Sequence, residues 1–154
     1  MLNSLSSIQV IEHVFTEFSI KAHEEASPET SHTAKYAVRT SREEQHEERI
    51  WRVDMVYSFG KSEGEKKAPY EGTIKLHGIF IIHPDFPEEK CDSLARLNGG
   101  AVLMGAVREA VLGHTLRSVN GPLELPLVDA RSFLPKDQQD KPLIPTSEKE
   151  RDAE

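Results

Sequence analysis

The side chains able to do chemistry are few and scattered. Seven histidines stand at His13, His23, His32, His46, His77, His83 and His114. None lies at a recognised metal-ligand spacing from another histidine, a cysteine or a carboxylate. The single cysteine, Cys91, has no histidine placed by the sequence to activate it and reads as a small buried or half-buried residue. Gly99-Gly100 precedes a helix, as anion-binding loops do. It lacks the further glycines of a dinucleotide loop and the lysine of a P-loop, and no strand leads into it. It reads as a hinge between two helices. Arg108-Glu109 interrupts an apolar run and reads as a buried or interfacial ion pair that fixes register. No catalytic constellation, metal site or cofactor is expected.

Bulk composition narrows the classes further. The chain has 154 residues, 19 of them basic and 26 acidic, for a formal charge of −7. Nucleic acid is therefore not an expected partner, since phosphate binding needs a basic patch. No apolar run approaches the roughly 20 residues that span a bilayer. Met1 to Val10 carries no basic region and no signal-like apolar segment. With one cysteine and no internal disulfide, the expected compartment is the cytoplasm.

Apolar periodicity places the elements. Residues 1–7 are serine-rich and read as a flexible terminus. Ile8 to Ile20 reads as an edge strand, bulged or apolar on both faces. Three strands with period two follow. Ala34, Tyr36 and Val38 alternate with basic residues. Trp51, Val53, Met55, Tyr57 and Phe59 alternate with polar ones, and so do Tyr70, Ile74, Leu76, Phe80 and Ile82. The charged connections, which include Glu43-Glu44 and Glu47-Glu48, are short enough for hairpins. Then the period changes. Asp85-Phe86-Pro87-Glu88 starts a short helix. A longer helix from about Gly100 carries Leu103, Val107, Ala110, Val111 and His114 on one side, and Asn120-Gly121-Pro122 stops it. Residues 134–154 read as a polar, disordered tail. The expected fold class is α+β: a four-stranded antiparallel meander sheet, then a short and a long helix packed on one face, within residues 8–133. The short helix and the Leu123–Val128 segment add apolar surface beyond what so small a domain covers, which points to a partner.

Four stretches in this order carry a resemblance. They are His77-Gly78-Ile79-Phe80, Asn98-Gly99-Gly100-Ala101-Val102-Leu103, Arg108-Glu109, and "GPLELPLV" from Gly121 to Val128. Over about residues 8–133 the chain resembles the SecB family of export chaperones. The resemblance implies a homotetramer, a dimer of dimers, with no catalysis and no cofactor. It implies long helices packed in the tetramer interface, here through Leu103, Met104, Val107, Arg108 and Val111. It also implies apolar grooves that hold unfolded precursor proteins translocation-competent. The groove candidates are Phe18, Tyr36, Trp51, Met55, Phe86, Leu97 and Leu127, because a groove for many clients needs adaptable apolar and aromatic walls.

The departures from the family pattern are specific. The family's Phe-Pro-Tyr-Ala on the long helix is Met104-Gly105-Ala106-Val107 here, and its later Asn-Phe is Asp129-Ala130. The family docks the SecA motor through acidic and apolar groups on the outer sheet face. In the family's Asp-apolar-Ser-apolar-Glu stretch of the first strand, here Glu17-Phe18-Ser19-Ile20-Lys21, the first acid is kept as Glu17. Lys21 reverses the second charge, and the Leu-x-Glu of the fourth strand falls on Glu71-Gly72-Thr73, where neither member is kept. Reversed charge replaces attraction by repulsion and argues against SecA docking. Two other readings stand beside the export chaperone. One is a SecB-like chaperone dedicated to a single client, such as the antitoxin of a toxin–antitoxin pair. The other is a hot-dog-like enzyme or small-ligand binder. That fold wraps its sheet around a helix placed early in the chain, whereas here the helices come last.

Overall fold

The computed structural model describes residues 5–26, 33–60 and 67–140. Four strands, β1 (Ile8–Ala22), β2 (Ala34–Arg42), β3 (Arg49–Phe59) and β4 (Tyr70–Ile82), form one antiparallel sheet. The expected α+β class holds, but the strand order is β1-β4-β3-β2 rather than a plain meander. β2, β3 and β4 follow one another in space. β1 crosses to pair with β4, and both β1 and β2 are edges. Residues 23–33 provide the reach. At about 3.3 Å per residue they span far more than three strand spacings of about 4.8 Å each.

Alternation assigns the faces. Val53, Met55, Tyr57, Phe59, Ile74, Leu76, Phe80 and Ile82 point to one side and are buried. The opposite face is polar, with Arg52 bonded to Asp54 at 2.9 Å and 3.4 Å from His77 Nδ1. β1 alternates too, but two bulges interrupt it, between Val10 and Glu12 and between Phe15 and Glu17. Each bulge adds a residue and exchanges the parity of the positions after it.

Beyond β4 the chain forms a continuous helical rod. A 3-10 turn (Glu88–Lys90) leads into α1 (Cys91–Leu94), a π turn (Ala95–Gly99) and α2 (Gly100–Thr115). Pro87, not Asp85, stands at the start, and no side chain caps it. Gly99 and Gly100 are not a hinge. Both are helical, with φ of −62° and −59°. A Cβ on Gly99 would stand 2.9 Å from Val53 Cγ2, and one on Gly100 would stand 2.5 Å from Phe133 Cδ2. Gly99 lets the rod lie close on the sheet, and Gly100 makes room for Phe133.

The rod is tied down at both ends. Residues 83–99 strap over β2 and β3: Arg42 pairs with Glu88 at 2.6 Å, Thr40 donates to Asp92, and Arg96 bonds both Asp92 at 2.9 Å and the Val38 carbonyl at 3.3 Å. At the other end Gly121 takes a left-handed φ of 77°, as a helix stop requires. Asn120 donates to the carbonyls of His23 and Pro69, and Tyr70 to that of Gly121. The extended segment after Gly121 returns along α2. Thr115 is fully buried there, and its hydroxyl accepts from the Leu123 amide at 2.8 Å while donating to the Val111 carbonyl. Asp129 caps a 3-10 turn (Ala130–Phe133), and its carboxyl is held below the usual range by the Arg131 guanidinium and amide.

The terminal boundaries differ from expectation. Ser7, assigned to the flexible terminus, accepts a bond from the His83 amide at 2.8 Å. Residues 134–139 are not tail: α3 (Lys136–Gln139) follows, with Gln139 bonded to the Leu134 carbonyl at 2.7 Å and Gln138 to Ser93 at 2.9 Å. The rest of the expected tail, residues 141–154, lies outside the described residues.

Candidate assembly and polypeptide-binding face

α2 is apolar nearly all round. Between Gly100 and Thr115 only Arg108 and Glu109 carry a formal charge. One side, made of Gly100, Leu103, Met104, Val107, Val111 and Thr115, is buried on the chain's own sheet. This corrects the interface reading of Leu103, Met104, Val107 and Val111, which leave no side chain free to meet a sister helix. Arg108 is corrected as well. It makes no ion pair with Glu109; its Nε donates to the Leu125 carbonyl at 3.0 Å and pins the returning segment to the helix. The side of α2 facing away from the sheet carries Ala101, Val102, Gly105, Glu109 and Gly113, with Leu116 60% exposed just past the last turn. A helix that stays in water ordinarily bears more charge on that side than the single Glu109.

β1 extends this surface. Val10, His13, Phe15 and Phe18 pair with Phe80, Gly78, Leu76 and Ile74, all on the helix side of β4, so they face the same way. α2 does not reach over them: Val10 is 47% exposed and Phe18 36%. Phe15 meets Phe18 edge-to-face with ring centroids 5.8 Å apart, and Phe18 meets the His114 ring at 5.4 Å. Strand and helix thus share one uncovered apolar face. Sequence reasoning found Phe18 and missed Val10, His13, Phe15, Val102 and Leu116. The two bulges hid the β1 members, since Val10 and Phe15 have opposite parity in the sequence yet share a face.

The remaining groove candidates divide. Tyr36, Trp51 and Phe86 are half-buried against the core where the strap crosses the sheet. Tyr36 donates to Ser132 at 2.9 Å and stands edge-on to Phe133 at 5.7 Å. The Trp51 indole N–H is buried without a hydrogen-bond partner among the described residues. Leu97 is half-buried on the π turn. Leu127, on the returning segment, is 83% exposed. Met55 is a correction: at 1% exposed, between Val53 and Tyr57 on the buried face of β3, it is core and offers no groove surface. Glu17 lies on the outer sheet face and is taken up by Lys75 at 3.1 Å, directly across from it on β4. Among the described residues no group of three or more histidine, cysteine, aspartate or glutamate side chains is arranged to hold a metal. No helix among them is long and apolar enough to cross a membrane.

No protein-family profile matches the chain, and no curated protein does. Solved structures do. A SecB-like chaperone of Mycobacterium tuberculosis, in complex with a ChAD peptide from the HigA1 antitoxin, superposes with a TM-score of 0.59 at 15% identity. The match covers 79% of this chain and 88% of that one. A protein of unknown function from Streptococcus agalactiae matches 78% of this chain at 15% identity, but its TM-score of 0.38 carries no argument. The likeness to the mycobacterial chaperone is one of fold: this chain has a SecB-like α+β architecture.

Proposed function

We propose that this chain is a SecB-like, ATP-independent chaperone that binds unfolded or precursor polypeptides and works as a homotetramer in the cytoplasm. The observation that carries this reading is the uncovered apolar face of β1 and α2. With Val10, Phe15, Phe18, Val102 and Leu116 it exposes roughly 400 Å², within the range of the largest, often functional, patch on a monomer. An interface of standard size needs about 800 Å² per partner, with such a patch at its centre. Small residues on α2 let a second helix approach closely, so a second copy of the chain is the occupant proposed for this face. Phe18 then belongs to the assembly. The half-buried aromatic row of Tyr36, Trp51 and Phe86 under the strap, with Leu97 and the exposed Leu127, is left for clients. An aromatic row whose one side-chain polar tie among the described residues is Tyr36 to Ser132 suits many sequences better than one.

Aggregation of an unfolding client, followed by light scattering, tests the reading. Substoichiometric tetramer should suppress it, and unchanged aggregation at equimolar chain would overturn it. Trp51 is the only tryptophan, so a client peptide seated on the row should shift its emission.

A second reading, a chaperone dedicated to one client such as an antitoxin, is favoured by two observations. The mycobacterial chaperone of similar fold was solved with an antitoxin peptide. Here the outer-face acid Glu17 is neutralised by Lys75, which removes a charge from the surface that a SecA motor would use. Pull-down separates the two: one dominant client favours the dedicated chaperone, a broad set of precursors the general one.

A further inference from the structure

We infer that self-association through the β1–α2 face is gated by pH, with His13 and His114 as the titrating groups. The inference rests on the assembly reading proposed for this face and adds a regulation to it. Both histidines lie inside the apolar face rather than at a polar rim. His13 sits between Val10 and Phe15 on the helix side of β1, opposite Gly78. His114 closes the face from α2, with its ring 5.4 Å from that of Phe18.

The surroundings offer an imidazolium nothing. On the helix side β1 contributes Ile8, Val10, Phe15, Phe18 and Ile20, and β4 contributes Ile74, Leu76, Gly78 and Phe80, none of which titrates. Glu12 and Glu17 of β1 are on the opposite face, across from Ile79 and Lys75. On α2 the charged groups are Arg108, bonded to the Leu125 carbonyl, and Glu109 on the water side, with Arg117 just past the helix end. Among the described residues no carboxylate bonds either ring. In the free chain both rings are exposed. Once a second copy covers the face, a charged ring would lose its water among the aliphatic and aromatic groups around it, with no carboxylate of the described residues of its own chain bonded to it. The neutral ring fits better.

Proton linkage sets the sign. The assembled state binds fewer protons than the free chain, so association strengthens as pH rises and weakens as it falls through the histidine range. The limiting effect is roughly ten-fold per pH unit for each histidine that must be neutral. Up to two such histidines per chain make the response steep.

Sedimentation velocity of the full chain at several concentrations, at pH 8.0, 7.0, 6.0 and 5.5, tests this. Far-UV circular dichroism at each pH confirms that the fold is intact. An assembly at pH 8.0 that weakens at least ten-fold by pH 5.5 supports the inference. The His13→Gln, His114→Gln double variant should assemble at both pH values alike. An assembly whose constant is the same at pH 8.0 and 5.5 overturns the gating while leaving the assembly reading in place. A chain that is monomeric at pH 8.0 overturns the assembly reading itself. If the double variant keeps the full pH response, other groups are responsible and the assignment to these two histidines fails.

Discussion

Removing the Tyr57 hydroxyl should make this protein more stable. Tyr57 is fully buried on β3, and its hydroxyl has no hydrogen-bond partner among the described residues. The ring itself is well placed. It stacks on Tyr36 with centroids 6.2 Å apart and tilts against Phe59 at 6.0 Å. A buried hydroxyl without a partner forfeits its hydration, at about 1–3 kcal/mol. Phenylalanine keeps the ring contacts and removes that penalty, at the expense of a void the size of one oxygen. The net expectation for Tyr57→Phe is a gain of about 1 kcal/mol, or roughly 2–4 °C in Tm for a chain of this length. Tyr36→Phe is the matched control. Its hydroxyl donates to Ser132 at 2.9 Å, so its loss should lower stability by about 0.5–1.5 kcal/mol. Two stacked tyrosines should therefore respond with opposite sign. Urea unfolding at one protein concentration measures both. Alkaline pH gives a second readout. Desolvation, and secondarily the neighbouring Tyr36, holds the Tyr57 phenol above its ordinary value. Above about pH 10 the unfolded chain therefore releases this proton before the folded one does, and stability falls as pH rises. The Phe variant should lose that part of the alkaline decline. If Tyr57→Phe lowers stability as much as Tyr36→Phe, the hydroxyl has a partner and the reasoning fails.

Three further outcomes are expected. Thr115→Val strands the Leu123 amide, now bonded to the hydroxyl at 2.8 Å; it should cost about 1–3 kcal/mol in urea unfolding and make the segment after Gly121 more sensitive to protease. A Cβ at Gly105 or Gly113 meets nothing within 4 Å, so Gly105→Ala with Gly113→Ala should stabilise the isolated chain by about 0.5–1 kcal/mol each. The same pair should weaken self-association in sedimentation equilibrium if sister helices approach there. Glu17→Ala removes an exposed cross-strand pair with Lys75 and should cost at most about 1 kcal/mol. It should leave client protection in the light-scattering assay unchanged, because Glu17 lies on the face opposite the apolar one.

How much the sequence disclosed depended on whether a pattern had one physical solution. In β3 and β4 strict alternation leaves one way to bury Tyr57, Ile74, Leu76 and Phe80, and those residues form the core. In β1 the bulges near Ile11 and Thr16 exchange parity twice, so no single count of odd and even positions places Val10 and Phe15 together. Strand order was not legible either, because a long polar loop after β1 permits pairing with β2 or with β4. The hinge reading of Gly99-Gly100 failed for a related reason. Paired glycines serve a turn or a close approach equally well, and only the positions of Val53 and Phe133 decide between them. Met55 was placed in a groove because methionine suits one, yet the same flexible side chain also fills a core.

α2 shows why a site can be half legible. A helix with one apolar stripe has one burial to make, and its residues name that face. A helix apolar on every side has two burials to make, and periodicity cannot say which residues serve which. Leu103, Val107 and Val111 recur every four residues along one stripe, as residues of an interhelix contact can, and the sheet takes them first because it belongs to the same chain. Docking an intramolecular element costs no association entropy, so the bulkiest side chains fill the core. The small ones, Ala101, Gly105 and Gly113, are left facing outward. That ordering makes the exposed side look ordinary in sequence while leaving it flat and apolar in structure. The surface where a second copy can sit is therefore recognised by how little charge, Glu109 alone, a helix that should face water carries there, rather than by any apolar residue of its own.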